Sequence, residues 1–235
     1  MPRPQFPSFL VACTFGLLFV MLDVNASAQD DAVDLIVEFL QDDDQDVRAI
    51  ALEQIRDEVP GEDRTKTFAA LLPELPPAAQ EELLSALADR GDSAAAPAVR
   101  EFLSQTQDAD LRIAAMRALG KLGGSEDLPV FLKFLASSSP DEQDAARRSL
   151  VLLPGEEASA AIAKTMQTSP TPQRVALIEV LTTRRARNAL DEILAAAVAD
   201  DAAVRSAAMK SLGAFAEPEH VPGMLQGVLK AQPGR

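Results

Sequence analysis

The sequence predicts an all-α protein built as a stack of about six helix pairs with a single helix at its C-terminal end. Two registers and one compositional bias carry that expectation. Arg112 has positional counterparts at Arg48, Gln80, Gln143, Arg174 and Arg205, at intervals of 31 or 32 residues, which is the length of a two-helix repeat. Three residues beyond this marker stand Ala51, Leu83, Ala115, Ala146, Leu177 and Ala208, and seven beyond stand Ile55, Leu87, Leu119, Leu150, Leu181 and Leu212. Positions three, four and seven apart share one face of a helix, so the two columns describe a continuous apolar stripe. Aromatic residues make up only 4% of the chain, with no Trp or Tyr, and the abundance of Ala and Leu suits close helix packing better than a sheet.

The first 28 residues read as a signal peptide. Arg3 precedes an apolar run from Phe9 to Leu22, too short to span a membrane comfortably, and Ala26-Ser27-Ala28 supplies the small residues that precede a cut. Cleavage is expected between Ala28 and Gln29, giving an exported protein, periplasmic or secreted. An uncleaved anchor and a lipoprotein signal, the latter suggested by Leu10-Val11-Ala12-Cys13, are the competing readings. Cleavage at that point removes Cys13, the one cysteine, so the exported form rests on packing rather than on disulfides.

Residues 29–235 are expected to form one repeat domain, divided near 31–60, 61–92, 93–124, 125–155, 156–185 and 186–217, with a partial repeat over 218–235. Each repeat opens with a helix whose apolar residues lie eight, nine and twelve positions before the marker: Ile36, Phe39 and Leu40, then Phe68, Leu71 and Leu72, then Phe131, Phe134 and Leu135. The third repeat is shifted by one, to Val99, Phe102 and Leu103, the fifth offers Ile162 and Met166, and the sixth Ile193 and Leu194. The second helix is typified by Asp110 to Gly123, which starts at an acidic cap, carries Leu111, Ala115, Leu119 and Leu122 on one stripe and stops at glycines. Runs rich in Asp, Ser and Pro, such as Asp42-Asp43-Asp44, Pro76-Pro77 and Ser169-Pro-Thr-Pro172, fall where each second helix must begin. Pro60-Gly61, Gly91-Asp92, Gly123-Gly124, Pro154-Gly155 and Pro218 separate the repeats. After them Met224 and Val228 mark another first helix, whose next marker position would be 236. A seventh repeat is thus expected to lack its second helix. Its first helix then folds over the last pair as a cap, pairs with another chain, or belongs to a longer repeat array.

The motif Asp-x-Val/Leu-Arg-x-x-Ala-x-x-x-Leu, seen at Asp46-Val47-Arg48 and Asp110-Leu111-Arg112 and in part at Val204-Arg205, resembles HEAT repeats, in particular the short type of phycobilin lyases and bacterial scaffolding proteins. The resemblance covers roughly residues 31–217. Gln80 and Gln143 replace the arginine and Pro172 replaces the acid in the departing repeats. It implies a right-handed α-α superhelix, a HEAT-like solenoid, in which the Asp and Arg columns form a ladder of charge-assisted bonds and the glutamines leave neutral rungs.

The chemistry-bearing residues are few. A formal charge of −14 opposes the phosphate attraction on which nucleic-acid binding rests, and an anionic membrane surface repels it too. Cys13 and His220 are each the single residue of their kind, which removes thiolate zinc sites and most histidine-based catalysis. Asp42, Asp43, Asp44 and Asp46 lack the glycine turn and distal Glu of a calcium loop and read as a helix cap. Glu81-Glu82 and Glu156-Glu157 are neighbours in sequence and diverge on a helix, so neither makes a facing acid/base pair. No catalytic residue, metal ligand or cofactor is assigned.

What remains is the outward face of the second helices, five residues beyond the marker: Glu53, Ser85, Arg117, Arg148, Glu179 and Lys210. Its basic middle, Arg117 and Arg148, suits an acidic peptide or anionic ligand. Arg184-Arg185-Ala186-Arg187 forms a second basic spot, read as a soluble inter-repeat loop. The expected function is a non-enzymatic protein-protein interaction scaffold that binds an unidentified protein on Glu53, Arg117, Arg148, Glu179 and Lys210, without nucleic acid and without membrane contact beyond the signal segment. The alternatives are a bilin-lyase-like chromophore-handling protein and a fragment of a larger HEAT-repeat protein.

Overall fold

The computed structural model describes residues 33–57, 61–215 and 218–231, and they fold as an all-α superhelix with no strand among them. The expected cleavage site at Ala28 and Gln29 lies outside these residues. Helix α1 (33–40) pairs with α2 (Gln45–Asp57), α3 (Glu62–Ala70) with α4 (Pro77–Arg90), and α5 (Ala96–Gln105) with α6 (Ala109–Leu122). Helices α7 (Leu128–Leu135) and α8 (Pro140–Leu152), α9 (Glu156–Thr168) and α10 (Thr171–Thr183), and α11 (Leu190–Ala196) and α12 (Ala202–Phe215) follow, and α13 (Val221–Ala231) stands after the last pair.

The second helices form one layer, α2 on α4, α4 on α6, α6 on α8, α8 on α10 and α10 on α12. The apolar columns run through that layer as a single spine: Ile55, Leu87, Leu119, Leu150, Leu181 and Leu212 are each at most 1% exposed. Ala51, Leu83, Ala115, Ala146, Leu177 and Ala208 are fully buried beside them. Phe68, Leu72, Val99, Phe131, Ile162, Met166 and Ile193 close the spine from the first-helix layer. No pair could hide this surface alone, so each repeat is buried by its neighbours.

The marker column sits at the turn inside each repeat, where the last carbonyls of the first helix lack intrahelical donors. Arg48 Nη1 donates to the Asp42 and Asp43 carbonyls, Arg112 Nη1 to Gln107, and Arg205 Nη1 to Ala199 and Asp200. Gln80 Nε2 donates to the Leu72 carbonyl and Gln143 Nε2 to that of Ser137. The glutamines are therefore neutral rungs, as expected. The ladder itself differs from the expected one, because the two arginines of the column that form ion pairs, Arg48 and Arg112, reach glutamates of the following repeat and not the Asp column. Arg48 Nε donates to Glu82 of α4 at 2.9 Å, and Arg112 Nε to Glu142 of α8 at 2.6 Å. The caps at these helix starts come from aspartates two residues before the column's Asp46 and Asp110. Asp44 accepts from the Asp46 N–H, and the cap of α6 is Asp108, which accepts from the N–H groups of Asp110 and Leu111, so the cap precedes the expected Asp110 by one half-turn.

A second set of arginines seals the junctions between repeats. Arg90 and Arg184 occupy the same register at the ends of α4 and α10. Arg90 donates to the Ile55 and Gly61 carbonyls and to Thr65 Oγ1. Arg184 donates to the carbonyls of Leu150, Val151, Leu153 and Gly155 and to Ser159 Oγ, and burial pushes its guanidinium down from the ordinary value. Its charge lies at the C-terminus of α8, the negative end of that helix dipole. The basic spot at Arg184-Arg187 is thus in its first member a structural lock. One residue later Gly91 and Arg185 share a left-handed backbone, φ 71° and 52°, which ends both helices and costs a non-glycine residue such as Arg185 more than it costs Gly91.

Three outcomes test this account. Leu119→Ala removes a fully buried spine residue and is expected to lower the unfolding free energy by about 2–5 kcal/mol, read by urea denaturation, whereas Glu53→Ala on the surface shifts it by less than about 0.5 kcal/mol. Arg184→Met strips the donors from the end of α8 and is expected to cost about 2 kcal/mol, with Arg184→Lys restoring only part, since an ammonium cannot fork across several carbonyls. The Ser137 hydroxyl, and next to it Arg112, hold Glu142 below the usual carboxylate range, burial acting against them. A depressed folded value means that the contribution of Glu142 is fully present above the ordinary glutamate value of about 4.3 and is lost as pH falls through the folded one. Thermal midpoints are expected to be level from about pH 7 to about pH 5.5 and to fall below about pH 4.5, with Glu142→Gln flattening part of the fall.

Candidate functional site

The outward column is exposed along its whole length: Glu53, Ser85, Arg117, Arg148, Glu179 and Lys210 all face solvent. Only its middle forms a site. Helices α6 and α8 leave between them a groove of about 440 Å³, lined by Asp110, Ile113, Arg117, Asp141, Asp144, Ala145, Arg148, Ser149 and Leu152. Arg117 and Arg148 are brought together there, while Glu53, Glu179 and Lys210 stand on α2, α10 and α12 and do not line it.

The groove lies beside a point of close approach of α6 and α8. A Cβ on Gly120 would lie 2.8 Å from Ser149 Cα, so the two backbones meet near the C-terminal half of α6. From that contact the arginines project outward, five positions beyond the marker and clear of the spine. Arg148 is 78% exposed and pairs with Asp144 at 2.8 Å in an i,i+4 arrangement, the kind that contributes little to stability. Arg117 makes no ion pair or hydrogen bond among the described residues. Leu152 at 48% exposed and Ile113 add an aliphatic floor.

The expected basic patch is therefore a mixed one, with three carboxylates lining the same groove as the two arginines. The sequence column picks out the arginines because they share an offset from the marker. Asp110, Asp141 and Asp144 stand at other offsets and join them only once the helices pack. The groove offers guanidinium donors, carboxylate acceptors and apolar contact, which is the chemistry of recognition. Among the described residues no group of three or more His, Cys, Asp or Glu side chains is placed to hold a metal ion, and no helix is long and apolar enough to cross a membrane. His220 lies half-buried in the turn Pro218–His220 before α13.

A second groove, of about 450 Å³, was not anticipated from the sequence. It lies on the first-helix layer between α5 and α7, lined by Pro97, Leu103, Val130 and Phe134 with Arg100, Glu101, Ser104 and Lys133. Its cations are engaged. Arg100 pairs with the buried Asp127, and Lys133 Nζ stands 5.9 Å from the centroid of the Phe134 ring. The half-buried Val130 beside the apolar α7 run is the signal that marks it, a residue outside the core stripe that is aliphatic all the same.

Comparison with known proteins found a matching family model and several distantly similar solved structures. Residues 65–151, from α3 into α8, match the model of the family described as HEAT repeats. Among solved structures, human deoxyhypusine hydroxylase in complex with glycerol is 19% identical, with 90% of this chain and 94% of that chain covered at a TM-score of 0.42. An engineered protein is 17% identical, with 82% and 97% covered at a TM-score of 0.43. The complex of CpcE and CpcF of phycocyanin lyase from a Nostoc species is 16% identical, with 99% and 91% covered at a TM-score of 0.44. No curated protein matches the chain. The register of the marker column and the buried spine agree with the family match, which makes residues 65–151 of this chain similar to HEAT repeats.

Proposed function

We propose that this protein is a non-enzymatic interaction scaffold, exported from the cytoplasm, that binds a segment of a partner protein in the groove between α6 and α8. A repeat fold by itself names no activity, so the reading rests on the site. The observation that carries it is Arg117, an exposed guanidinium with no partner among the described residues, set beside Arg148 and the half-exposed Leu152 in one groove. An arginine next to aliphatic surface matches a peptide with a carboxylate adjoining an aliphatic side chain, since the guanidinium takes both oxygens of a carboxylate while the floor buries the apolar group. The aspartates that line the same groove, Asp110, Asp141 and Asp144, repel a uniformly acidic chain and so restrict the partner to mixed sequences. Export follows from the apolar run Phe9–Leu22 and the small residues Ala26-Ser27-Ala28, and a chain beginning at Gln29 has no thiol to protect in an oxidising compartment.

Panning a random peptide library against the full chain tests the reading. Recovered peptides are expected to share an acid next to Leu, Ile or Val, and to bind the Arg117→Glu, Arg148→Glu double variant at least about tenfold more weakly. Peptides that bind the double variant as tightly as the parent would remove the groove from consideration.

A further inference from the structure

The groove between α6 and α8 has a direction. Arg112 of α6 reaches Glu142 of α8 near the starts of the two helices, and a Cβ on Gly120 would lie 2.8 Å from Ser149 Cα farther along them. Start therefore lies against start, and residues at equal offsets from the marker stand at similar heights on the two walls. Two residues before the marker both walls carry a carboxylate, Asp110 and Asp141, and five residues after it both carry a guanidinium, Arg117 and Arg148. Four residues beyond the arginines stand Leu152, which lines the groove, and Lys121, which is drawn away to Asp89 of α4. The groove thus runs from acidic through basic to aliphatic.

The other junctions of second helices do not repeat this order. Two residues before the marker the chain reads Asp46, Ala78, Asp110, Asp141, Pro172 and Ala203. Five after it stand Glu53, Ser85, Arg117, Arg148, Glu179 and Lys210. Neighbouring acids and neighbouring arginines occur once each in those columns, at the same pair of helices. Like charges side by side repel, so neither pairing helps the stack to fold. A helix start suits an acid, but the caps of α6 and α8 are already supplied by Asp108 and Ser139. The charges are open to a ligand as well. The Asp110 and Asp141 carboxylates and the Arg117 guanidinium take no hydrogen bond or ion pair among the described residues, while Arg148 is held by Asp144.

Spacing sets the ligand's length. Seven positions separate Asp110 from Arg117, which is about 10.5 Å along a helix. Four more separate Arg148 from Leu152, about 6 Å. An extended chain advances about 3.3 Å per residue, so three residues cover the first span and about two the second.

Resting on the reading of this groove as a peptide site, we infer that it selects an extended segment carrying both charges at a fixed spacing. A Lys or Arg lies between Asp110 and Asp141, a carboxylate three residues away lies on Arg117, and an aliphatic side chain two residues past the carboxylate lies on Leu152. The cation offsets the repulsion between the two aspartates and the carboxylate that between the two arginines, so binding removes a strain that the unbound chain retains.

The full chain is titrated by anisotropy with labelled Gly-Ser-Lys-Ser-Ser-Glu-Ser-Leu-Gly-Ser and with the same residues in reverse order, which covers both chain directions. Saturable binding of one order is expected, about tenfold weaker when its Lys is replaced by Ser. Asp110→Asn with Asp141→Asn, which leaves both caps in place and is checked by melting, is expected to weaken it about as much, and the two losses are expected not to add, because they remove one contact. A peptide weakened by Arg117→Glu with Arg148→Glu yet indifferent to its own Lys and to the Asn substitutions overturns this inference and leaves the peptide-binding reading of the groove in place. Library peptides that bind the groove while neither synthetic order does have the same meaning. Binding untouched by the arginine variant, or no peptide bound at all, overturns both.

Discussion

A stack of short helices has an unusual number of helix ends, and each end leaves carbonyls that the helix itself cannot satisfy. That constraint organises this protein. In five of the six pairs, at Arg48, Gln80, Arg112, Gln143 and Arg205, a side chain reaches back from the second helix to carbonyls of the preceding turn, and either an arginine or a glutamine serves, because what the turn requires is a donor. The charge matters for a different reason. A guanidinium has donors to spare after capping the turn, and at Arg48 and Arg112 the remaining one crosses to the next repeat. Intra-repeat closure and inter-repeat registry thus rest on the same residue, and the glutamine repeats keep the first while giving up the second.

The sequence shows the columns because burial imposes a strict period. Leu87, Leu119 and Leu150 must fall on the same side of successive helices, and any drift would expose them. The punctuation was readable for the same reason, since Pro and Gly act through their own backbones. Partners of charged groups were not readable. Glu82 lies two residues after its repeat's marker and Glu142 one residue before, so no single offset predicts an arginine's acceptor. The Asp column looked like the natural partner, yet Asp46 and Asp110 enter the caps through their backbone N–H groups, which donate to Asp44 and Asp108 two residues earlier. Arg184 misled in the opposite direction, being charged and close to a turn while spending its donors on carbonyls across a repeat junction.

The groove was half visible. Arg117 and Arg148 share an offset, so a column drawn through the sequence finds them, but the carboxylates beside them come from other columns and join the site through the crossing of α6 and α8. The outcome changes what the surface selects. On the proposed reading, two arginines alone would draw any anion, whereas arginines that share their groove with Asp110, Asp141 and Asp144 penalise a ligand of uniform charge and favour one whose acid is locally placed. In a chain of formal charge −14 this also lowers non-specific attraction between the groove and the protein's own acidic surface.

The position of the groove within the array has a physical logic. Stability in a linear repeat protein comes from each unit and its two neighbours, so the terminal units are held on one side only and open most readily. Among the described helices α6 and α8 have neighbours on both sides, and Gly120 lets their backbones come nearer than a side chain would permit, with the Arg112 and Glu142 pair and the Ser137 hydroxyl fastening the same junction. A groove framed by such a contact is held in one shape before any ligand arrives, and binding there need not include the cost of ordering it.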